Sequence, residues 1–221
     1  VCLDWFMANA SKCYNPEKMR RLAQDLLPNR IGALRGRISE CVPVSWAAFM
    51  QMIKPEARER IPEEERFMVL AMICLIVTSD KKLVLMRRSQ EVTQYKGMYH
   101  LAATGYVDTK TVSEAGGLQE GIIQTAFKEL KEEVNLEECD IDELRIVGAF
   151  KIGEPHRTNL DIAFVAKTKL CAKDVLALSV GAEDSWEGKH HALQSEEVIE
   201  LSNTSQLVPS ADGAIAAYRN L

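Results

Sequence analysis

Apolar positions along this chain follow two different textures. From residue 1 to about 66 they recur at helical spacing between prolines. Asn15-Pro16-Glu17 reads as an N-cap followed by proline at the first helical position, and Met19, Leu22, Ala23, Leu26 and Leu27 then repeat until Pro28. A second helix is predicted from Ser45 through Trp46, Phe49, Met50 and Ile53 to Pro55. After Pro62 and the acidic Glu63-Glu64-Glu65 the texture becomes strand-like. The run from Met68 to Val77, the polar turn Ser79-Asp80-Lys81-Lys82 and then Leu83 to Met86 predict a hairpin, with Arg87 and Arg88 closing its second strand.

Further strands are predicted at Tyr99 to Ala103, Leu144 to Ile152, Asp161 to Thr168 and Trp186 to Leu193. The polar stretch 106–119, with Gly116-Gly117, reads as a loop. A helix is predicted over about 120–134, a helical turn over 195–201 and a closing helix over 209–218. Strands interrupted by a central helix and ended by another imply an α+β domain, a mixed sheet flanked by helices, over 67–221. Residues 1–66 form a separate helical N-terminal extension in this reading.

Composition narrows the function classes. The chain has 221 residues, 47% hydrophobic and 27% charged, with a formal net charge of -5. That balance suits a globular protein with a substantial core and shows no large basic surplus for gripping a nucleic-acid backbone. The most apolar run is about half the roughly 20 residues needed to cross a bilayer, so no membrane partner is expected. Six cysteines at 2, 13, 41, 74, 139 and 171 form no CxxC pair, which suits free thiols in a reducing, cytoplasmic setting. The start lacks the pattern of a secretory signal, and Val1 in place of methionine leaves the completeness of the N-terminus open.

The stretch GGLQEGIIQTAFKELKEEVNL, residues 116–136, carries the most chemistry. Ile122, Ile123, Ala126, Phe127, Leu130 and Val134 gather on one side of a helical wheel. Glu129 and Glu133 stand one turn apart, and Glu132 adjoins them three residues after Glu129. Like charges at that spacing repel, and Mg²⁺ or Mn²⁺, which take hard oxygen ligands at about 2.1 Å, would offset the repulsion. A solvated helix face, with Lys128 and Lys131 pairing with neighbouring glutamates, accounts for the same spacing equally well.

The order of residues resembles the signature of the Nudix hydrolase superfamily. Glu120, seven residues, then Lys128-Glu129-Leu130-Lys131-Glu132-Glu133-Val134-Asn135-Leu136 match its helix half, with Lys128 where arginine is usual and Asn135 where glycine is usual. Gly105, at the end of His100-Leu-Ala-Ala-Thr-Gly105, takes the place of the signature's opening glycine, and the extra length up to Gly116-Gly117 is an insertion. The resemblance spans roughly residues 67–218 and implies a Nudix-like α/β/α sandwich.

It also implies an activity, metal-assisted cleavage of a nucleoside diphosphate linked to another moiety. Glu129, Glu132 and Glu133 would hold Mg²⁺ or Mn²⁺, with Glu120 as an auxiliary ligand. The substrate would be small and phosphate-bearing, and a homodimer fits the family's habit. Lys128 would brace the loop-helix unit without the two-pronged contact of an arginine. Glu187, in Asp184-Ser-Trp-Glu187-Gly-Lys-His190-His191, is a candidate base or further ligand, and Trp186 a candidate stacking residue. Arg87 and Arg88 alternate across a strand, so at most one reaches phosphate from it; Arg157 is a rim candidate. Two other activities share the fold implied. One is a non-catalytic nucleotide-binding or regulatory protein; the other is an isomerase resembling isopentenyl diphosphate isomerase, although no convincing cysteine-containing active-site stretch is present.

Overall fold

The structure, a computed structural model, describes residues 69–92, 94–153 and 158–220. The helices predicted within 1–66 and the rim candidate Arg157 lie outside those residues. Seven strands are described in one sheet: β1 (Val69–Val77), β2 (Leu83–Arg88), β3 (Tyr99–Leu101), β4 (Ala103–Tyr106), β5 (Ile141–Gly153), β6 (Thr158–Thr168) and β7 (Gly188–Leu193). Five helices accompany them: α1 (Thr109–Glu114), α2 (Leu118–Val134), α3 (Ala172–Ser179), α4 (Ser195–Asn203) and α5 (Pro209–Arg219).

The sheet runs β3-β2-β1-β6-β5, with β4 also on β1 and β7 also on β2. β1 pairs in parallel with β6 from Val69↔Asn159 to Val77↔Lys167, whereas its pairings with β2 and β4 are antiparallel, so the sheet is mixed. β1 is central, and both of its faces are covered. That explains an unbroken apolar sequence there in place of alternation, with Met72 to Val77 all buried.

Ile73, Leu75 and Val77 join a core with Leu85, Leu101, Val165 and the α5 residues Ala211, Ala214 and Ile215. No α2 residue belongs to that cluster, yet α2 packs on β4 and β1 and buries Ile122, Ala126, Leu130 and Val134. Side chains alternate across a strand, so α2 covers one face of the sheet and α5 the other. This is the mixed sheet flanked by helices that the patterning predicts, arranged as the α/β/α sandwich that the resemblance implies.

Three local differences from the sequence reading have physical causes. Residues 106–119, expected as a loop, contain α1. Asp108 caps it: the Thr111 amide donates to Asp108 Oδ1 at 2.8 Å, and the Thr111 hydroxyl donates to Oδ2 at 2.7 Å. No residue of α1 is buried, so it leaves no apolar periodicity to read. The strand expected from Trp186 begins at Gly188 instead, because Ser185–Glu187 is a turn of 3-10 helix. Helix α3, which the pattern reading passes over, is only eight residues long and buries Ala172, Val175 and Ser179.

Among the described residues, no helix is long and apolar enough to cross a membrane.

Candidate active site

Strand β4 and helix α2 build the site together. β4 lies against β1 with Gly105 opposite Met72 and Thr104 opposite Ile73. α2 crosses this strand with Glu129 and Glu133 one turn apart, both buried, at 8% and 3% exposure. The Thr104 amide donates to Glu133 Oε2 at 3.2 Å. Gly105 lets Glu129 in: a Cβ placed there would lie 2.1 Å from Glu129 Oε1 and 2.2 Å from its carboxyl carbon. Adjacent backbone positions of one short strand therefore receive both carboxylates.

The helix ends where its sequence departs from the glycine of the motif. Asn135 sits in the left-handed region, φ 60° and ψ 32°, and the Asn135 and Leu136 amides return to the carbonyls of Lys131 and Leu130. A left-handed residue with this pair of bonds closes a helix, and Asn suffers less strain there than most side chains.

Burial is the main influence on the two carboxyls. It lifts Glu129 to about 7; Lys128 opposes the shift, and the charges of Glu132, Asp184 and Glu187 add to it. Burial also raises Glu133 well above the usual carboxylate range, with Glu129 and Glu187 adding to the effect and the Thr104 hydrogen bond opposing it. Glu187 is raised as well, first by burial, against the attraction of Arg88.

Asp184 and Glu187, in the segment before β7, thus act electrostatically on the helix carboxylates. That segment is tied in at both ends: the Asp184 amide donates to the Glu132 carbonyl at 3.1 Å, and the Ser89 amide donates to the Glu187 carbonyl at 2.7 Å. Asp184 holds no motif position in the sequence. Its nearness to α2 depends on this long-range backbone bond, which no local pattern announces.

The remaining candidates are distributed around this centre. Glu132 turns toward Lys128, with Oε2 3.6 Å from Nζ, and Lys128 also lies 3.8 Å from Asp108, the cap of α1. Glu120 lies in the first turn of α2, nine residues before Glu129, and its Oε2 would be 3.5 Å from a Cβ on Gly117. At about 1.5 Å per residue it stands roughly 13 Å along the axis from Glu129, away from the buried pair.

Arg88 donates through Nε to the Gln94 carbonyl at 3.1 Å, and Arg87 to the Gly97 carbonyl at 3.3 Å. Of the two, Arg88 is the one that attracts Glu187. Trp186 is exposed, and its indole N–H donates to Asp184 Oδ1 at 3.1 Å. His190 and His191 point apart: His190 is buried near the Ala102 carbonyl, while His191 meets the edge of Tyr99 at 5.6 Å between ring centres. His100 is buried beside Ser210, and burial, then the charge of Arg88, pulls it down to about 4.

The donor chemistry suits a hard divalent cation in part. Two desolvated carboxylates share one helical edge, with Asp184 and Glu187 acting electrostatically on both and Glu132 on Glu129. Among the described residues, however, no group of three or more His, Cys, Asp or Glu side chains is gathered to hold a metal ion.

Comparison with solved structures agrees with this arrangement of strand, helix and sheet. Tm1382, a candidate Nudix hydrolase, matches with TM-score 0.54 and 15% identity over 83% of this chain and 91% of its own. The Nudix hydrolase from Nitrosomonas europaea matches with TM-score 0.51 and 15% identity over 70% and 90%. The Nudix domain of Shewanella oneidensis NrtR, solved with ADP ribose, matches with TM-score 0.51 and 13% identity over 80% and 98%. This chain has the Nudix fold. No protein-family model matches the sequence, and no curated protein matches it. Within the Nudix fold, α2 occupies one face of the mixed sheet and presents Glu129 and Glu133 to the β4 backbone.

Proposed function

We propose that this chain is a Nudix-type hydrolase that cleaves the diphosphate linkage of a nucleoside diphosphate joined to another moiety, with Mg²⁺ or Mn²⁺. The observation that carries the reading is the seating of Glu129 and Glu133, buried carboxylates one turn apart, against Gly105 and the Thr104 amide. Burying two like charges is costly, and a fold that goes on to clear a glycine-sized space for one of them supports a role beyond solubility.

Glu129 and Glu133 would hold the metal, with Glu132 completing the set on release from Lys128. A divalent ion bound there supplies charge neutralisation for phosphate and lowers the pKa of a coordinated water. The protein's own groups do the rest. The Thr104 amide fixes the rotamer of Glu133 and stabilises its anionic form. Glu187, whose affinity for a proton burial raises, is suited to accept one from an attacking water, and the positive charge of Arg88 opposes that rise and favours the carboxylate form. Glu120, remote along the helix axis, serves the first turn of α2, where negative charge complements the helix dipole.

The test is turnover on a panel of nucleoside diphosphate derivatives with Mg²⁺ or Mn²⁺, following release of monophosphate. Glu132→Gln and Glu133→Gln should each lower kcat at least a hundredfold. A panel without turnover, together with nucleotide binding by calorimetry, would replace this reading with a non-catalytic nucleotide-binding protein. The observation in favour of that second reading is the ion pair at 3.6 Å that engages Glu132 with Lys128.

A further inference from the structure

Trp186 is one of two large hydrophobic side chains left exposed among the described residues, 54% accessible, the other being Val180. A tryptophan that packs in a core would be covered; this one stands in water one residue from Glu187. It is not on a free loop. Its 3-10 turn is bonded to the last turns of α2 through Asp184 N–H and the Glu132 carbonyl, closed internally by the Glu187 amide on the Asp184 carbonyl at 3.0 Å, and bonded to Ser89 beyond. Its polar edge is already used, because the indole N–H donates to Asp184 Oδ1 at 3.1 Å. What remains for a ligand is the carbon framework of the ring, held by the side chain of a residue whose backbone amide is bonded to the α2 turn that carries Glu129 and Glu133.

We infer that Trp186 is an aromatic platform for the planar base of a nucleotide substrate, and that Asp184 is the positioning residue that fixes its ring. This rests on the diphosphate-hydrolase reading for what the neighbouring carboxylates do. A phosphate group bound beside Glu129 and Glu133 would leave the nucleoside to extend toward the turn that carries Trp186. The surrounding Asp184 and Glu187 carboxylates favour an uncharged ring over an anionic one, which fits a nucleobase. Stacking on one aromatic face is sequence-tolerant, so the platform selects a base as a class and not one base among the four.

The experiment uses AMP and ribose 5-phosphate, which differ by the base and carry no diphosphate linkage to cleave. Affinity of the full chain for each is measured by calorimetry in Mg²⁺. The native protein should prefer AMP by about tenfold, the lower range of a base-aromatic stack. Trp186→Ala should abolish the preference and Trp186→Phe keep most of it. Asp184→Asn, whose amide oxygen still accepts from the indole, should keep the preference, whereas Asp184→Ala should reduce it.

Damage to the phosphate or metal site would weaken both ligands alike and leave their ratio unchanged, so the ratio isolates the platform. Equal affinities in the native protein, or a preference that survives Trp186→Ala, overturns the inference. So does a Trp186→Ala variant that dissolves a dimer while binding AMP unchanged. The two proposals fail separately. A Trp186-dependent preference with no turnover on any diphosphate sinks the hydrolase reading alone, and turnover without the preference sinks the platform alone.

Discussion

Gly105 and Glu129 occupy one space: the carboxylate of the helix residue fills the volume that any side chain on the strand residue would need. The nearest atoms belong to the end of a side chain and not to backbone, so a Gly105→Ala protein can fold by turning Glu129 away. Overpacking of this kind costs about 1–3 kcal/mol, a loss of a few degrees in Tm. Activity should fall at least tenfold, and Mg²⁺ affinity by calorimetry should fall with it. A variant with lower Tm and unchanged Mg²⁺ affinity would show that Glu129 does not need this position.

Glu129 also makes stability depend on pH in a direction opposite to an ordinary paired carboxylate. Its folded pKa, about 7, lies above the unfolded value near 4.5, so the folded state holds the proton more tightly. The stability gained from the protonated form is full at low pH and is lost as pH rises from about 4.5 through 7. In buffer with EDTA, Glu129→Gln should therefore be more stable than the native protein at pH 8, by up to about 3 kcal/mol, and no more stable at pH 4.5. Urea unfolding of both proteins across that range checks it. Saturating Mg²⁺ should shrink the advantage at pH 8, since a bound cation restores the ionised native carboxylate.

Gly121 holds α1 against α2. A Cβ there would lie 2.7 Å from the Val112 Cα, and backbone cannot step aside as a side-chain end does. Gly121→Ala should cost about 1–3 kcal/mol despite the better helix propensity of alanine. Hydrogen exchange at residues 109–114 should accelerate more than exchange in β1, which reports the sheet core.

Asn135 closes α2 in the left-handed region. Asn135→Gly should leave stability within about 0.5 kcal/mol of native, because relief of the Cβ strain offsets the loss of the exposed Lys131 Nζ to Asn135 Oδ1 hydrogen bond at 2.8 Å. Asn135→Ala should lose about 1 kcal/mol, since it keeps the strain and drops the bond. Thermal unfolding of the two variants compared with native separates these outcomes.

Local order in the chain locates α2 and the central strand, but the one strand expected at Tyr99 to Ala103 is two, β3 on β2 and β4 on β1, and β4 is the one that carries Thr104 and Gly105. The apolar stripe of Ile122, Ala126, Leu130 and Val134 set α2, and the unbroken Met72 to Val77 run set the buried central strand, because both patterns depend on burial of whole faces. The spacing of Glu129 and Glu133 on one helical edge was likewise legible, since helix geometry alone puts them one turn apart. Only the tertiary structure decided what meets that edge. Gly105 and Thr104 reach Glu129 and Glu133 through the pairing of β4 with β1, and Asp184 reaches the end of α2 through one backbone bond across some fifty residues of chain. Glu120 belongs to the same motif by spacing yet stands at the far end of the helix, because sequence order measures distance along an axis while ligation needs convergence in space. The short α1, with no fully buried residue, leaves no such signal for the converse reason: it is held by a cap and by contact with Gly121, and neither leaves a hydrophobic period behind.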